Sequence, residues 1–257
     1  MTIGIIGEGA IAGYVAAHLA ETGAALRAIL VRPTRLEGAG PQRVASAADL
    51  PEGLDMMVDC AGHAALAEHG PAILERGIDL VTVSLGALAD KALHDRLDAA
   101  AKAGGARLHL ASGAIGALDC LQAARVGGLT GVVYTGRKPP AGWKGSAAEE
   151  VLDLDSLTDP APFFEGSARQ VALAYPKNAN VAAAVALAGA GFDATRARLI
   201  ADPTITANIH EIHAEGAFGS FDFRIEGRAL PDNPRSSALA AMSVIAAIRR
   251  AQDRIRI

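Results

Sequence analysis

The chain is expected to adopt an α/β fold: a doubly wound parallel sheet over residues 1–110, then a second, α+β domain over 111–233. Three observations carry this. Short, near-continuous apolar runs alternate with amphipathic stretches through the first half. A glycine loop joins the first strand to the first helix. After Ser112-Gly113 the repeat stops and alternating strands joined by turns take over. Of 257 residues, 51% are hydrophobic and 20% charged, enough to bury a core and too apolar for a disordered chain.

The elements follow in order. Residues 2–6, 26–31, 55–60, 78–83 and 107–110 are apolar runs too short for helices. Residues 10–20, 63–76 and 90–102 between them carry helical spacing, as in Ile11, Val15 and Leu19. Strands apolar throughout belong in a parallel sheet covered on both faces. Beyond the boundary near Ala111, residues 115–126 read as a helix and 132–135 as a strand. Residues 180–188 are a small, Ala-rich helix, and 196–202 are a strand. Segments 205–215 and 220–227 flank Gly216-Ala217-Phe218-Gly219 as a strand pair, Phe221, Phe223 and Ile225 sharing one face. Pro231 and Pro234 precede a helix over 236–252.

Composition excludes several classes. A formal charge of -4 leaves no basic footprint for nucleic acid. Cys60 and Cys120 are too few for a disulfide framework and sit in apolar runs. No apolar stretch reaches the roughly 18–20 residues that span a bilayer. No leader-like segment precedes the first strand, so a soluble, cytoplasmic protein is expected.

Gly7-Glu8-Gly9-Ala10-Ile11-Ala12 has the form G-x-G-x-x-A. Gly7 suits a tight turn, Gly9 admits a pyrophosphate to the backbone, and Ala12 lets helix and strand pack closely. Free N–H groups at Ala10 and Ile11 would face the phosphates. The motif predicts a Rossmann-type domain that binds NAD or NADP. An acid at the end of the second strand would read the ribose 2′-hydroxyl, but Val31-Arg32-Pro33-Thr34-Arg35 stands there. Arg32 and Arg35 either hold a 2′-phosphate or are solvated loop charges.

Further candidates lie downstream. Ser112-Gly113-Ala114-Ile115-Gly116 is expected at a helix start, offering donors to a nicotinamide or carboxylate, or simply capping. Pro176-Lys177-Asn178-Ala179-Asn180 likewise precedes a helix. In Asn208-Ile209-His210-Glu211-Ile212-His213 the histidines are three apart, so on a strand they face opposite sides and cannot share a metal. His210, beside Asn208 on one face, is a general acid/base near an ordinary pKa of about 6.5, or a structural histidine. Arg137 and Lys138, expected just after the 132–135 strand, offer cations to an acidic substrate. Arg235, Ser236 and Ser237 are weaker candidates of that kind.

Taken together, these segments resemble the L-aspartate dehydrogenase family, and the resemblance runs through nearly the whole chain. It is carried by Ser112-Gly113-Ala114-Ile115-Gly116-Ala117-Leu118-Asp119, Thr135-Gly136-Arg137-Lys138-Pro139-Pro140, Tyr175-Pro176-Lys177-Asn178-Ala179-Asn180-Val181, Asn208-Ile209-His210-Glu211-Ile212 and Asp232-Asn233-Pro234-Arg235-Ser236-Ser237. The resemblance implies a C-terminal stretch, 234–257, that returns to the first domain. It implies oxidation of L-aspartate to iminoaspartate with NAD or NADP, the imine feeding pyridine nucleotide biosynthesis or hydrolysing to oxaloacetate and ammonia. It puts the active-site histidine on His210 and cofactor contacts on Ala114 and Asn180. Arg137, Lys138, Asn178 and Ser236 are then the expected substrate contacts, and the Gly113–Gly116 helix start is a further candidate for the carboxylates. The helix start and the Arg137–Lys138 loop are expected to face a cleft between the domains, and a homodimer is expected. Two rivals remain at this point. One is an oxidoreductase like homoserine dehydrogenase or dihydrodipicolinate reductase; the other is a non-catalytic NAD(P)-binding redox sensor.

Overall fold

The computed structural model describes residues 1–231 and 233–255, with every side chain among them except Lys177, Pro234 and Arg235. The chain divides into two units, residues 1–111 with 240–257, and residues 112–239. The return of the C-terminal segment to the first unit thus begins at residue 240 rather than 234.

The first unit contains β1 (Thr2–Ile6), α1 (Ala10–His18), β2 (Ala25–Leu30), β3 (Gln42–Val44), β4 (Met56–Asp59), α2 (His63–Glu75), β5 (Asp79–Thr82), α3 (Lys91–Gly104) and β6 (Leu108–Leu110). Six strands form one sheet in the order β3-β2-β1-β4-β5-β6, and every neighbouring pair is parallel. That order reverses at β1, which puts a ligand crevice beyond the carboxyl ends of β1 and β4. The central strands are buried on both faces, which is why they read as unbroken apolar runs.

Local chemistry sets the helix ends. Asp90 caps α3 by accepting from the N–H groups of Ala92 and Leu93, a bond set worth about 1 kcal/mol. Gly105, with φ +66°, ends that helix in the left-handed region. Pro71 inside α2 has no N–H for the carbonyl of Ala67; the Arg96 guanidinium donates to that carbonyl instead, at 2.9 Å. The carboxylate of Asp59 is fully buried at the end of β4 and accepts from Thr82 Oγ1 (2.7 Å), Ser84 Oγ (2.6 Å) and Ala61 N (3.0 Å).

The second unit contains α4 (Leu118–Gly127), β7 (Leu129–Lys138), β8 (Ala161–Ser167), α5 (Ala168–Ala174), α6 (Asn180–Ala188), β9 (Arg196–Ala201), β10 (Asn208–Gly216), β11 (Gly219–Gly227), β12 (Ala229–Leu230) and β13 (Asn233–Ser237). Its five-stranded sheet runs β11-β10-β7-β9-β8, with β7 and β9 parallel and the other pairs antiparallel. β12 and β13 form a separate ribbon. The chain then enters α7 (Ala238–Gln252), whose Val244, Ala247 and Ile248 join Ile3, Ile5 and Val15 in the core of the first unit.

Three expectations are corrected. Residues 112–117 are a loop, because the helix begins only at Leu118 and Ala117 takes φ +57°. Gly116 packs so closely on Phe223 that a Cβ there would lie 2.9 Å from the ring. Arg137 and Lys138 lie within β7, which continues past the expected end at Thr135. β3, β8 and α5 were not expected at all.

Candidate active site

The first unit carries a cavity of about 550 Å³ at the ends of β1, β2 and β4, lined among others by Gly7, Gly9, Arg32, Arg35, Cys60 and Ala64. Gly7 has φ +96°, and a Cβ there would sit 2.9 Å from that of Ala61, so the position requires glycine twice over. Gly9 has an ordinary φ of -76°, and a Cβ built on it meets nothing within 4 Å. Its missing side chain therefore leaves open space above the loop rather than serving the turn. Ala10 and Ile11 open α1, which has no side-chain cap, and Ala12 is buried against the sheet. Open space over Gly9, uncapped N–H groups and two arginines fit the phosphates of a dinucleotide. Burial, reinforced by the charge of Asp59, pushes the Cys60 thiol well above its usual range, so it lines the cavity as an apolar group and not as a nucleophile.

The second unit gathers a different cluster. On β7, Tyr134, Gly136 and Lys138 share one face. The β10 register pairs His210 with Gly136 and Ile209 with Arg137, which puts His210 and Asn208 on that face as well. The Tyr134 hydroxyl and His210 Nδ1 are 2.9 Å apart, and their rings stack with centroids 6.0 Å apart. Lys138 Nζ donates to Asn178 Oδ1 at 2.5 Å and lies 4.9 Å from the centre of the Trp143 ring. Trp143 is itself pinned by its Nε1–H to the carbonyl of Ile200.

The electrostatics follow from burial. Desolvation, with a smaller push from the Lys138 charge, lowers the His210 pKa to about 4. Desolvation lowers Lys138 to about 8 and raises the Tyr134 phenol well above its usual range. The expectation of a histidine near 6.5 is therefore corrected: a 4% exposed imidazole between an aromatic ring and an ammonium is neutral far below pH 7. His213 is the reverse case. Exposed and bonded to Glu215 and Asp222, it has a raised pKa.

The other expected contacts separate. Arg137 points to the opposite face of β7 and pairs with Asp202 at 2.9 Å. Asp202 is buried, which opposes ionisation, yet hydrogen bonds from Thr204 and Arg137 hold its carboxyl below the usual range. Arg137 is thus a brace for the turn after β9 and not the equal of Lys138. Asn178 ends a short 3₁₀ turn, Ala179 precedes α6, and Asn180 is the first residue of that helix. Ala114 is buried in the 112–117 loop, which lies against Phe223 on the His210 face of the sheet. Ser236 lies on the β12–β13 ribbon, and the neighbouring Ser237 hydroxyl is buried with no partner among the described residues. Asp232 and the side chains of Lys177 and Arg235 lie outside the described residues. Sequence reasoning missed Tyr134, Trp143 and Asp202. Alternation of Tyr134, Gly136 and Lys138 along one strand was the available signal.

Among the described residues no group of three or more His, Cys, Asp or Glu could hold a metal ion, and no helix is long and apolar enough to cross a membrane. Residues 7–111 match the family model described as homoserine dehydrogenase, NAD binding domain, and residues 119–251 the one described as aspartate dehydrogenase, C-terminal. The L-aspartate dehydrogenase of Ruegeria pomeroyi is 59% identical over 99% of this chain and 94% of its own. That of Ralstonia nicotianae is 54% identical over 80% of this chain and 76% of its own. The crystal structure of aspartate dehydrogenase from Thermotoga maritima superposes with a TM-score of 0.79 at 28% identity, over 100% of this chain and 99% of that one. An amine dehydrogenase from Mycobacterium smegmatis, 13% identical with a TM-score of 0.60, shares the fold. The homoserine dehydrogenase likeness is confined to the nucleotide-binding unit, whereas the unit that holds His210 matches the aspartate dehydrogenase model. From the glycine loop to the last helix, this chain belongs to the aspartate dehydrogenase family of NAD(P)-dependent amino-acid dehydrogenases.

Proposed function

We propose that the protein oxidises L-aspartate to iminoaspartate with NAD or NADP, and that His210 handles the proton. The observation that carries the reading is the single sheet face shared by Tyr134, Lys138, Asn208 and His210, with Asn178 bonded to Lys138. Aspartate brings two carboxylates and an ammonium. Lys138 offers a cation on that face, and Asn178 fixes where its charge stands. Arg137 is left out of the substrate site because Asp202 already neutralises it.

Before oxidation the ammonium must lose a proton. A neutral His210 is an acceptor at any pH above about 4. So weakly basic an imidazole is poorly matched to an ammonium, but a substrate carboxylate placed beside it favours the imidazolium and raises its pKa on binding. The Tyr134 hydroxyl fixes the ring through Nδ1, which leaves Nε2 for the substrate. In the first unit, Gly7, Gly9, Ala10 and Ile11 would bind the pyrophosphate. Ala114 and Asn180, by their match to the family's motif, would contact the cofactor from the second unit. When bound, the nicotinamide supplies the acceptor for the hydride that leaves Cα. The products are iminoaspartate and reduced cofactor; the imine then feeds pyridine nucleotide formation or takes up water to give oxaloacetate and ammonia.

The test is reduced-cofactor formation across L-aspartate, L-glutamate, L-homoserine and L-alanine, with NAD and then NADP. Turnover confined to L-aspartate is expected. Cofactor binding without turnover on any of them would return the reading to a redox sensor. Assembly as a homodimer, part of the same proposal, is tested by light scattering.

A further inference from the structure

The second strand ends without the acid that ordinarily reads an adenosine ribose. The structure supplies one from elsewhere. Glu8, the middle residue of the G-x-G turn, reaches past the end of β2. Its carboxylate lies 2.5 Å from Arg43 Nη1 on β3 and 3.7 Å from Arg35 Nη1. Glu8, Arg32 and Arg35 line the nucleotide cavity at this end. Arg43 stands behind them, only 17% exposed, and is fixed by a second bond from Nη1 to the carbonyl of Arg35 (3.0 Å). Its Nε is buried with no partner among the described residues. A carboxylate thus occupies the position between two guanidinium groups that a phosphate would otherwise fill.

We propose that Glu8 is the cofactor-selectivity residue: its carboxylate accepts the ribose 2′-hydroxyl of NAD and competes with the 2′-phosphate of NADP for Arg43 and Arg35. This rests on the dinucleotide-binding reading of the cavity. An acid takes a hydroxyl proton well and repels a dianion, while paired guanidinium groups do the opposite. Here the two chemistries share one place. With NAD, Glu8 stays on Arg43 and offers its remaining lone pairs. With NADP, Glu8 must leave, and Arg43 and Arg35 take the phosphate. The arrangement admits both cofactors and lets one side chain set the ratio between them.

Calorimetric binding of 2′,5′-ADP and 5′-ADP, two fragments that differ by the 2′-phosphate, isolates this choice from turnover. Glu8→Gln should tighten 2′,5′-ADP roughly ten-fold, the effect of removing one like charge at contact range. Arg43→Met should weaken it by about the same factor. Glu8→Gln should weaken 5′-ADP about three-fold, because an amide oxygen accepts the 2′-hydroxyl less well than a carboxylate. Arg43→Met should change it by less than about three-fold, and circular dichroism should report an unchanged fold. A ratio of the two dissociation constants that is the same in wild type, Glu8→Gln and Arg43→Met would overturn the assignment of Glu8. Failure of wild type to bind either fragment would overturn the dinucleotide reading itself.

Discussion

Lys138 offers the sharpest test, because its activity and stability effects have opposite signs. Its ammonium is held in a site that lowers the pKa from 10.5 to about 8. At roughly 1.4 kcal/mol per pH unit, keeping that charge in the fold at pH 7 costs about 3 kcal/mol. The bond to Asn178 and the stacking on Trp143 offset part of the cost. Lys138→Met keeps the apolar stem, discards the charge, and leaves Asn178 free to turn to water. The variant should therefore be as stable as wild type or more so, by about 0–2 kcal/mol in urea. Its kcat/KM for aspartate should fall by about 2–5 kcal/mol of lost recognition, at least roughly thirty-fold. Alkali adds a second reading. The folded pKa lies below the unfolded one, so as pH rises from about 8 to 10.5 the folded state sheds the proton first. Over that interval wild type should gain stability relative to Lys138→Met. Over the same interval kcat/KM should fall, since the cation is disappearing. Lys138→Arg, which stays charged, should lose that alkaline limb. If Lys138→Met were strongly destabilised yet kinetically normal, Lys138 would be a structural side chain and the substrate assignment would fail.

Four other measurements bear on the site. His210→Ala should lower kcat by about 10²–10⁴-fold, while His213→Ala, at an exposed pair, should stay near wild type in kcat; equal effects would contradict the strand register. Because His210 is held neutral to about pH 4, folding stability should drop by about 3 kcal/mol as pH falls from 6.5 to 4, and His210→Gln should lack that drop in pH-dependent denaturation. Gly136→Ala would bring a Cβ to 2.6 Å from the Tyr134 hydroxyl; the displaced tyrosine should cost about 1–3 kcal/mol in thermal melts and lower kcat while leaving cofactor affinity intact. Gly9→Val has room in the fold but fills the space over the loop, so cofactor titration should show a large loss of affinity with unchanged circular dichroism.

Legibility in the sequence tracked the range of the interactions involved. The first unit was readable because its central strands β1, β4 and β5 are buried on both faces, and burial alone dictates an apolar run. β3 escaped because it is only three residues, Gln42-Arg43-Val44, and its role as an edge strand leaves no periodicity to detect. β8 begins at Ala161-Pro162 and shows no clean alternation of burial, and α5 spans only two turns, so neither sustains a recognisable period. The 112–117 loop was misread because Ile115 through Val126 keeps helical spacing; contact of Gly116 with Phe223, more than a hundred positions away, overrides it.

His210 and its partner show where single-sequence reasoning stops. The family motif drew attention to the histidine, but its behaviour is set by Tyr134 and Lys138, 76 and 72 positions earlier, which reach it only through the β7–β10 register. That register has the period of two residues. A slip by one would turn Tyr134 and Lys138 away and present Val133, Thr135 and Arg137 to His210 instead. Arg137 would then be the substrate cation, and the histidine would lose the hydroxyl on Nδ1. Adjacent positions in the motif Thr135-Gly136-Arg137-Lys138 thus have unlike tasks: Arg137 holds a buried aspartate, and Lys138 keeps a charge beside the histidine. Local sequence made them look interchangeable, and the pleat of one strand makes them distinct.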